Sequence, residues 1–174
     1  MTVQTAWSQS TADDVDASWA PSASLSYGSY RARTPPRLTI DLLTPFDPRY
    51  PSVLQACDQI NRLLALPERW DGGHAAAISP RSAIISLHLV AYLVDEAVPP
   101  PQVFPLPDGG VQLEWLIDGN GLEIEVTPAG VANALGVDSD ELTQIDGQFG
   151  ADAHALSLAK SYLRLISKPL LADR

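Results

Sequence analysis

The sequence predicts an α+β fold, in which an antiparallel three- to four-stranded β-meander carries two or three helices packed on one face. Between Val111 and Val126, apolar and polar residues alternate with a period of two, as in strands with one buried face. Glycine-containing turns punctuate this alternation, and three other segments repeat apolar residues at helical spacing. Together these patterns indicate a single sheet that is buried on one side against helices.

Turn residues divide the predicted meander into short strands. Pro107–Gly110 and Asp118–Gly121 both favour tight turns, because Gly, Asn and Asp tolerate positive φ. The predicted strands are Val103–Leu106, Val111–Ile117, Leu122–Val126 and Val131–Leu135. If Gly119–Asn120 is the two-residue loop of the central hairpin, Glu114 lies opposite Glu125.

Three segments are predicted to be helices. The first has Ser52 as its N-cap. The second begins at Ser79, because a serine side chain suits an N-cap and a proline follows it. The third helix starts near Asp152 and carries its cations toward its C-terminal end. Between the meander and this helix, we expect a capped single helical turn at residues 138–142 and a loop at Gly147.

The core is expected to form where the apolar face of the meander meets the helices. Leu87, Leu113, Trp115 and Ile124 are predicted to be buried there. Cys57 falls on the apolar face of the first helix and is expected to act as a small buried hydrophobe. Because it is the single cysteine of the chain, an internal disulfide and a cysteine-clustered zinc site are excluded.

Residues 1–37 are predicted to be a flexible N-terminal arm, and residues 38–174 a single α+β domain. The arm is rich in Ser, Ala, Thr and Asp and has no sustained periodicity. It also contains four aromatic residues, Trp7, Trp19, Tyr27 and Tyr30. An arm that orders on contact with a partner and an inert tail are both compatible with this composition.

Charge is distributed unevenly along the chain. The formal net charge is −10, and no Lys or Arg occurs between residues 100 and 150, a stretch that contains nine acidic residues. Nucleic-acid binding needs a basic surface, so we expect no direct nucleic-acid partner. The sequence shows no membrane-spanning run and no signal peptide, which predicts a cytoplasmic protein without membrane contact.

The polar side of the meander carries the main candidate site, made of Glu114, Glu123 and Glu125. Like charges on facing strands destabilise a sheet, so something should compensate them. Three interpretations stay open: glutamates that extend into water, pairing with arginines of the same chain, and binding of a cationic partner or a metal. The arginines concerned are Arg31, Arg33 and Arg37.

A second candidate lies in the loop between the first two helices. Trp70 and Asp71 precede a glycine pair there and are predicted to contribute to partner binding. In the alternative interpretation Trp70 fills the core and Asp71 caps the turn. Asp71 and His74 could also form a base with its orienting partner, although this spacing is not specific for such a pair.

No motif in the chain predicts a catalytic residue, a cofactor or a metal site. A phosphate-binding loop, a nucleophile elbow, a zinc-protease motif and a dinucleotide fingerprint are all missing from the sequence. The three histidines are scattered and lack the spacing of metal ligands. A carboxylate-metal hydrolase built on the three glutamates remains an alternative, because Mg²⁺ and Mn²⁺ prefer oxygen ligands.

One succession of motifs resembles a known pattern. Its parts are a Trp-Asp-Gly loop at 66–72, a Ser-Pro-capped helix at 79–96, Asp-Gly-Gly-x-x-Leu-Glu-Trp at 108–115 and Leu-Glu-Ile-Glu at 122–125. This middle third of the chain is similar to an uncharacterised family of small bacterial proteins. Arg69 and the Gly73-His74 pair depart from that pattern. The resemblance implies a shared fold and no activity.

These observations lead to an expected function. The chain is predicted to be a non-catalytic protein-binding protein that holds a basic partner on an acidic sheet face, as a toxin-neutralising (antitoxin-like) or accessory subunit. An alternative is a subunit of a larger assembly, tied to its neighbours by the N-terminal arm. A homo-oligomer is also possible.

Overall fold

The computed structural model describes residues 24–26, 36–39, 43–149 and 153–168. These residues form seven strands and three helices. The strands are β1 (Ser24–Ser26), β2 (Arg37–Thr39), β3 (Gln102–Pro105), β4 (Val111–Ile117), β5 (Asn120–Val126), β6 (Ala132–Val137) and β7 (Thr143–Phe149). The helices are α1 (Tyr50–Leu64), α2 (Pro80–Leu93) and α3 (Ala153–Ser167).

The main sheet is an antiparallel meander in which each strand from β3 to β7 pairs with the next. The predicted α+β fold is therefore confirmed, with five strands where three or four were expected. The helices pack on the side that carries the apolar residues of the alternation. The four predicted core residues are all buried there: Leu87, Leu113, Trp115 and Ile124.

The fifth strand, β7, occupies a region for which the sequence-based prediction was wrong. Residues 138–142 form the hairpin loop before β7, not a helical turn. The carboxylate of Asp138 shapes this loop by accepting hydrogen bonds from the backbone N–H groups of Asp140 at 3.0 Å and Leu142 at 2.9 Å. Gly147, predicted to lie in a loop, pairs with Ala134 of β6 inside the strand.

The helix starts follow the capping rules in one case and depart from them in another. At α2, the Ser79 hydroxyl accepts hydrogen bonds from the N–H groups of Arg81 and Ser82, as predicted. At α1, the helix begins at Tyr50, before the predicted cap at Ser52. Pro51 is tolerated in this first turn, because the N–H that it lacks would have no helical acceptor there. No helix among the described residues is long and apolar enough to cross a bilayer.

Two amide side chains of α1 bind the backbones of strands. Asn61 accepts a hydrogen bond from the N–H of Leu38 at 2.7 Å and donates one to the same residue's carbonyl at 3.1 Å. Gln59 donates to the carbonyl of Pro101 at 3.3 Å and accepts from the N–H of Val103 at 3.2 Å. These bonds fix β2 and β3 against α1 and satisfy backbone groups that would otherwise lack partners.

Most of the predicted N-terminal arm lies outside the described residues, including its four aromatic residues. Within it, β1 pairs with β2 in an antiparallel hairpin that places Leu25 opposite Leu38. Leu38 is buried and belongs to the core. The hairpin therefore joins residues from both sides of the predicted domain boundary at residue 37.

Candidate functional site

The side of the main sheet that faces away from the helices carries the three predicted glutamates. Strand alternation turns Glu114, Glu123 and Glu125 outward, while Leu113 and Ile124 between them are buried. Among the described residues, no helix or strand packs over this side. We call the outward side of β4 and β5 with these three glutamates the acidic face.

The pairing of the glutamates differs from the prediction. The loop of the β4–β5 hairpin is Asp118–Gly119, whose φ values of 49° and 81° suit a type I′ turn. Because this loop starts one residue earlier than expected, the pairing shifts by two residues. Glu114 therefore lies opposite Glu123, and Glu125 lies opposite Gln112. Two carboxylates face each other directly on neighbouring strands.

Cations of the described residues do not neutralise this face. The ion pairs between described residues include Arg49–Asp47 at 2.7 Å and Arg164–Asp95 at 2.5 Å, and neither of these includes a glutamate of the acidic face. Arg37 was expected as a possible partner of the glutamates, but it lies near Cys57 of α1. Burial raises the pKa of the Cys57 thiol to about 11, and the positive charge of Arg37 opposes this rise. Arg31 and Arg33 lie outside the described residues.

The crowding of carboxylates changes the ionisation of Glu123. Partial burial on the sheet raises its pKa above the ordinary value of 4.5, and the negative charges of Glu125 and Glu114 raise it further. An acid whose pKa is higher in the folded protein lowers stability once the pH rises through the unfolded-state value. At neutral pH the ionised Glu123 therefore costs folding free energy, and protonation removes this cost.

We expect Glu123→Gln to raise the free energy of unfolding by about 0.5 kcal/mol at neutral pH, because it removes a like charge from a facing pair. The gain should disappear below about pH 4, where the carboxyl is protonated in both the folded and the unfolded states. Urea unfolding at several pH values measures both effects. Glu125→Gln is the matched control, since it removes only one of the two charges that repel Glu123 and should gain less. Equal gains from the two variants would contradict this account.

Exposed leucines accompany the carboxylates, and sequence reasoning did not single them out. Leu116 and Leu135 lie on the outward side of β4 and β6, with 71% and 47% of their surface exposed. Leu135 pairs directly with Glu123 of β5, and Leu116 pairs with Gly121, which has no side chain. A strand that places leucine among outward glutamates is the signal in the sequence that could have indicated an interaction surface.

The loop with Asp71 is held by its own hydrogen bonds. The Asp71 carboxylate accepts from the N–H groups of Gly73 at 2.8 Å and Ala75 at 3.2 Å, which confirms the predicted turn cap. These bonds also keep the pKa of Asp71 below its ordinary value. His74 is exposed, and its imidazole takes no part in these bonds. In the described geometry, Asp71 and His74 therefore do not form the pair that was considered, a catalytic base with its orienting partner.

Trp70 lies in the same loop but does not fill the core. It is half-buried, and its indole N–H donates to the carbonyl of Ala76 at 3.2 Å. The backbone that follows this loop packs against the β3–β4 turn, where the N–H of Ala76 donates to the carbonyl of Pro107 at 2.9 Å. No hydrogen bond of Trp70 or Asp71 involves the glutamates of the acidic face.

Two features of the described residues bear on the binding of a metal or a small molecule. Within them, no group of three or more His, Cys, Asp or Glu side chains is placed to hold a metal ion. A groove of about 830 Å³ runs between α1 and residues 100–102, and its lining mixes Pro51 and Leu54 with Asp58 and Arg62. The three glutamates of the acidic face are therefore not placed as a ligand group, and the carboxylate-metal hydrolase stays a prediction.

Comparisons with known proteins leave the chain without an assigned family. No family model, curated protein or solved structure matches it. The resemblance to proteins with a Trp-Asp-Gly loop therefore stays a prediction. The acidic face is the feature of the described residues that bears on function.

Proposed function

We propose that this chain is a non-catalytic binding protein that holds a basic protein partner on its acidic face. One observation carries the proposal: Glu114, Glu123 and Glu125 crowd a sheet face that no described helix or strand covers, and the ion pairs of the described residues do not include them. A cationic partner would remove the repulsion that the fold tolerates, so that binding and relief of strain coincide.

The leucines of this face narrow the chemistry of the partner. Leu116 and Leu135 offer apolar area next to the carboxylates, so the best partner presents Lys or Arg beside apolar side chains, as an amphipathic segment does. The net charge of −10 would speed the approach of such a partner. A toxin-neutralising or accessory subunit role fits these properties.

Native mass spectrometry of the tagged protein, isolated gently from its own host, tests the proposal first. We expect one dominant companion with a basic sequence. Glu114→Lys combined with Glu125→Lys should then weaken the complex by about tenfold or more, and wild-type binding should weaken as salt rises. The fold should survive, because Glu114→Lys places a cation opposite Glu123.

A matched control separates the face from total charge. Asp58→Lys combined with Glu68→Lys changes the net charge equally at exposed positions outside the acidic face, and should leave affinity nearly unchanged. If both double variants weaken the complex equally, net charge is responsible and the acidic face is not the site. If neither variant changes affinity, the proposal fails.

A further inference from the structure

The two edges of the main sheet differ. The outer edge of β3 is occupied, because Gln59 binds the carbonyl of Pro101 and the N–H of Val103. The next position that would turn an N–H outward is Pro105, which has none. A further strand would therefore find no donors along β3.

At the outer edge of β7, no proline and no side-chain amide of the described residues occupies the strand in this way. The type I′ turn makes Ile117 and Asn120 a hydrogen-bonded pair, and alternation from strand to strand then turns the backbone N–H and C=O groups of Asp146 and Gln148 away from β6. In the described part of the chain, no backbone group bonds to these residues from outside the sheet. The edge has no proline or lysine to discourage pairing.

The helix beside this edge exposes leucines on the same side of the molecule. Lys160 and Arg164 of α3 face α2, since they bind the Tyr92 carbonyl at 2.6 Å and the Asp95 carboxylate at 2.5 Å. Leu158 precedes Lys160 by two residues, which places it roughly 160° around the helix from that side. Leu165 lies two turns farther on. Their exposed fractions are 42% and 60%.

The open edge and these leucines are adjacent. A Cβ atom built on Gly147 of β7 would lie 3.3 Å from the Cβ of Ala155, so α3 packs directly over this strand. The outer edge of β7 therefore forms one continuous surface with Leu158 and Leu165, which we call the edge surface. The edge surface includes the last strand of the sheet layer and the helix that lies beside it in the helical layer.

We propose that a second copy of this chain occupies the edge surface, so that two β7 strands pair antiparallel around a two-fold axis near Gly147. In this register Asp146 of one copy pairs with Gln148 of the other, and a carboxylate lies beside an amide that can donate to it. The α3 helices approach each other through Leu158 and Leu165. The surface is thus self-complementary, as a two-fold interface requires.

The size of the edge surface sets the strength of the dimer. Seven strand residues span about 24 Å, and a sheet with one helix layer is roughly 20 Å deep, which gives about 500 Å² per copy. Standard interfaces bury about 800 Å² per partner, so the dimer should be weak and concentration-dependent. Because each copy carries a net charge of −10, salt should strengthen the association.

Sedimentation velocity over a wide concentration range tests the proposal on the full chain. We expect a monomer–dimer equilibrium that Gln148→Pro weakens by about tenfold or more. Proline is tolerated there, because the N–H that it removes points away from β6. If that variant does not fold, Leu158→Glu combined with Leu165→Glu tests the same surface at exposed positions.

Leu116→Glu, on the acidic face, is the control that should leave dimerisation unchanged. A monomer at all concentrations, or a dimer that neither edge variant weakens, would overturn the proposal. The result is independent of the proposed function: salt should strengthen the dimer and weaken the complex with a basic partner.

Discussion

Replacement of Trp115 by alanine is expected to lower the free energy of unfolding by about 3–5 kcal/mol. Trp115 is only 2% exposed and lies at the centre of the face where β4 meets the helices. Its indole N–H donates to the carbonyl of Pro99 at 2.9 Å, so truncation creates a cavity and also removes that carbonyl's donor. Urea unfolding monitored by circular dichroism measures the loss.

Trp70→Ala is the matched control for this prediction. Both indoles donate one hydrogen bond to a backbone carbonyl, but Trp70 is half-buried in a loop and does not belong to the core. Its replacement should cost about 1–2 kcal/mol. Equal costs at the two positions would mean that burial of Trp115 contributes little beyond its hydrogen bond.

Gly109→Ala is expected to destabilise the fold by about 2–4 kcal/mol, through two separate effects. Gly109 has a φ of 91°, which an L side chain rarely adopts, and an added Cβ would lie 2.7 Å from the carbonyl oxygen of Ala77. The backbone cannot easily move, because the Gly109 carbonyl accepts hydrogen bonds from the N–H of Ser79 at 2.8 Å and the hydroxyl of Ser82 at 3.1 Å.

Gly72→Ala separates backbone strain from the steric clash. Gly72 also has a positive φ, of 77°, but an added Cβ would meet no atom within 4 Å. This variant should therefore cost about 1 kcal/mol, the strain alone. Thermal unfolding of both variants gives the comparison. If Gly109→Ala proves no worse than Gly72→Ala, the contact between the β3–β4 turn and Ala77 is not tight.

Prediction from the sequence was most accurate where apolar and polar residues alternate without interruption. β4 and β5 alternate over their whole length, and their apolar side is buried as predicted. Ser79 followed by proline located the start of α2, because the cap is a local property of a few residues. Such features depend on neighbours in the chain and not on distant contacts.

β7 could not be predicted because its own residues scarcely determine it. Ile145 is its only fully buried residue, and Gly147 and several polar side chains surround it. Its strand conformation depends on pairing with β6 and on α3, which packs above it. These contacts are formed by the tertiary structure, so a local pattern cannot reveal them.

The acidic face was predicted correctly in orientation but not in pairing. Alternation alone turns Glu114, Glu123 and Glu125 outward, whatever the turn. Their partners depend on which two residues form the loop, and Asp118 adopts positive φ as readily as Asn120 was expected to do. A difference of one residue in the loop thus decides which carboxylates face each other.

The occupied edge of β3 limits how many molecules can join. A sheet that accepts new strands on both sides can grow without end, which is how fibrils form. Here Gln59 and Pro105 close one side, so pairing through β7 leaves a ten-stranded sheet with both outer edges blocked. The dimer proposed above would therefore stop at two copies, protected by its own outer strands against polymerisation at high concentration.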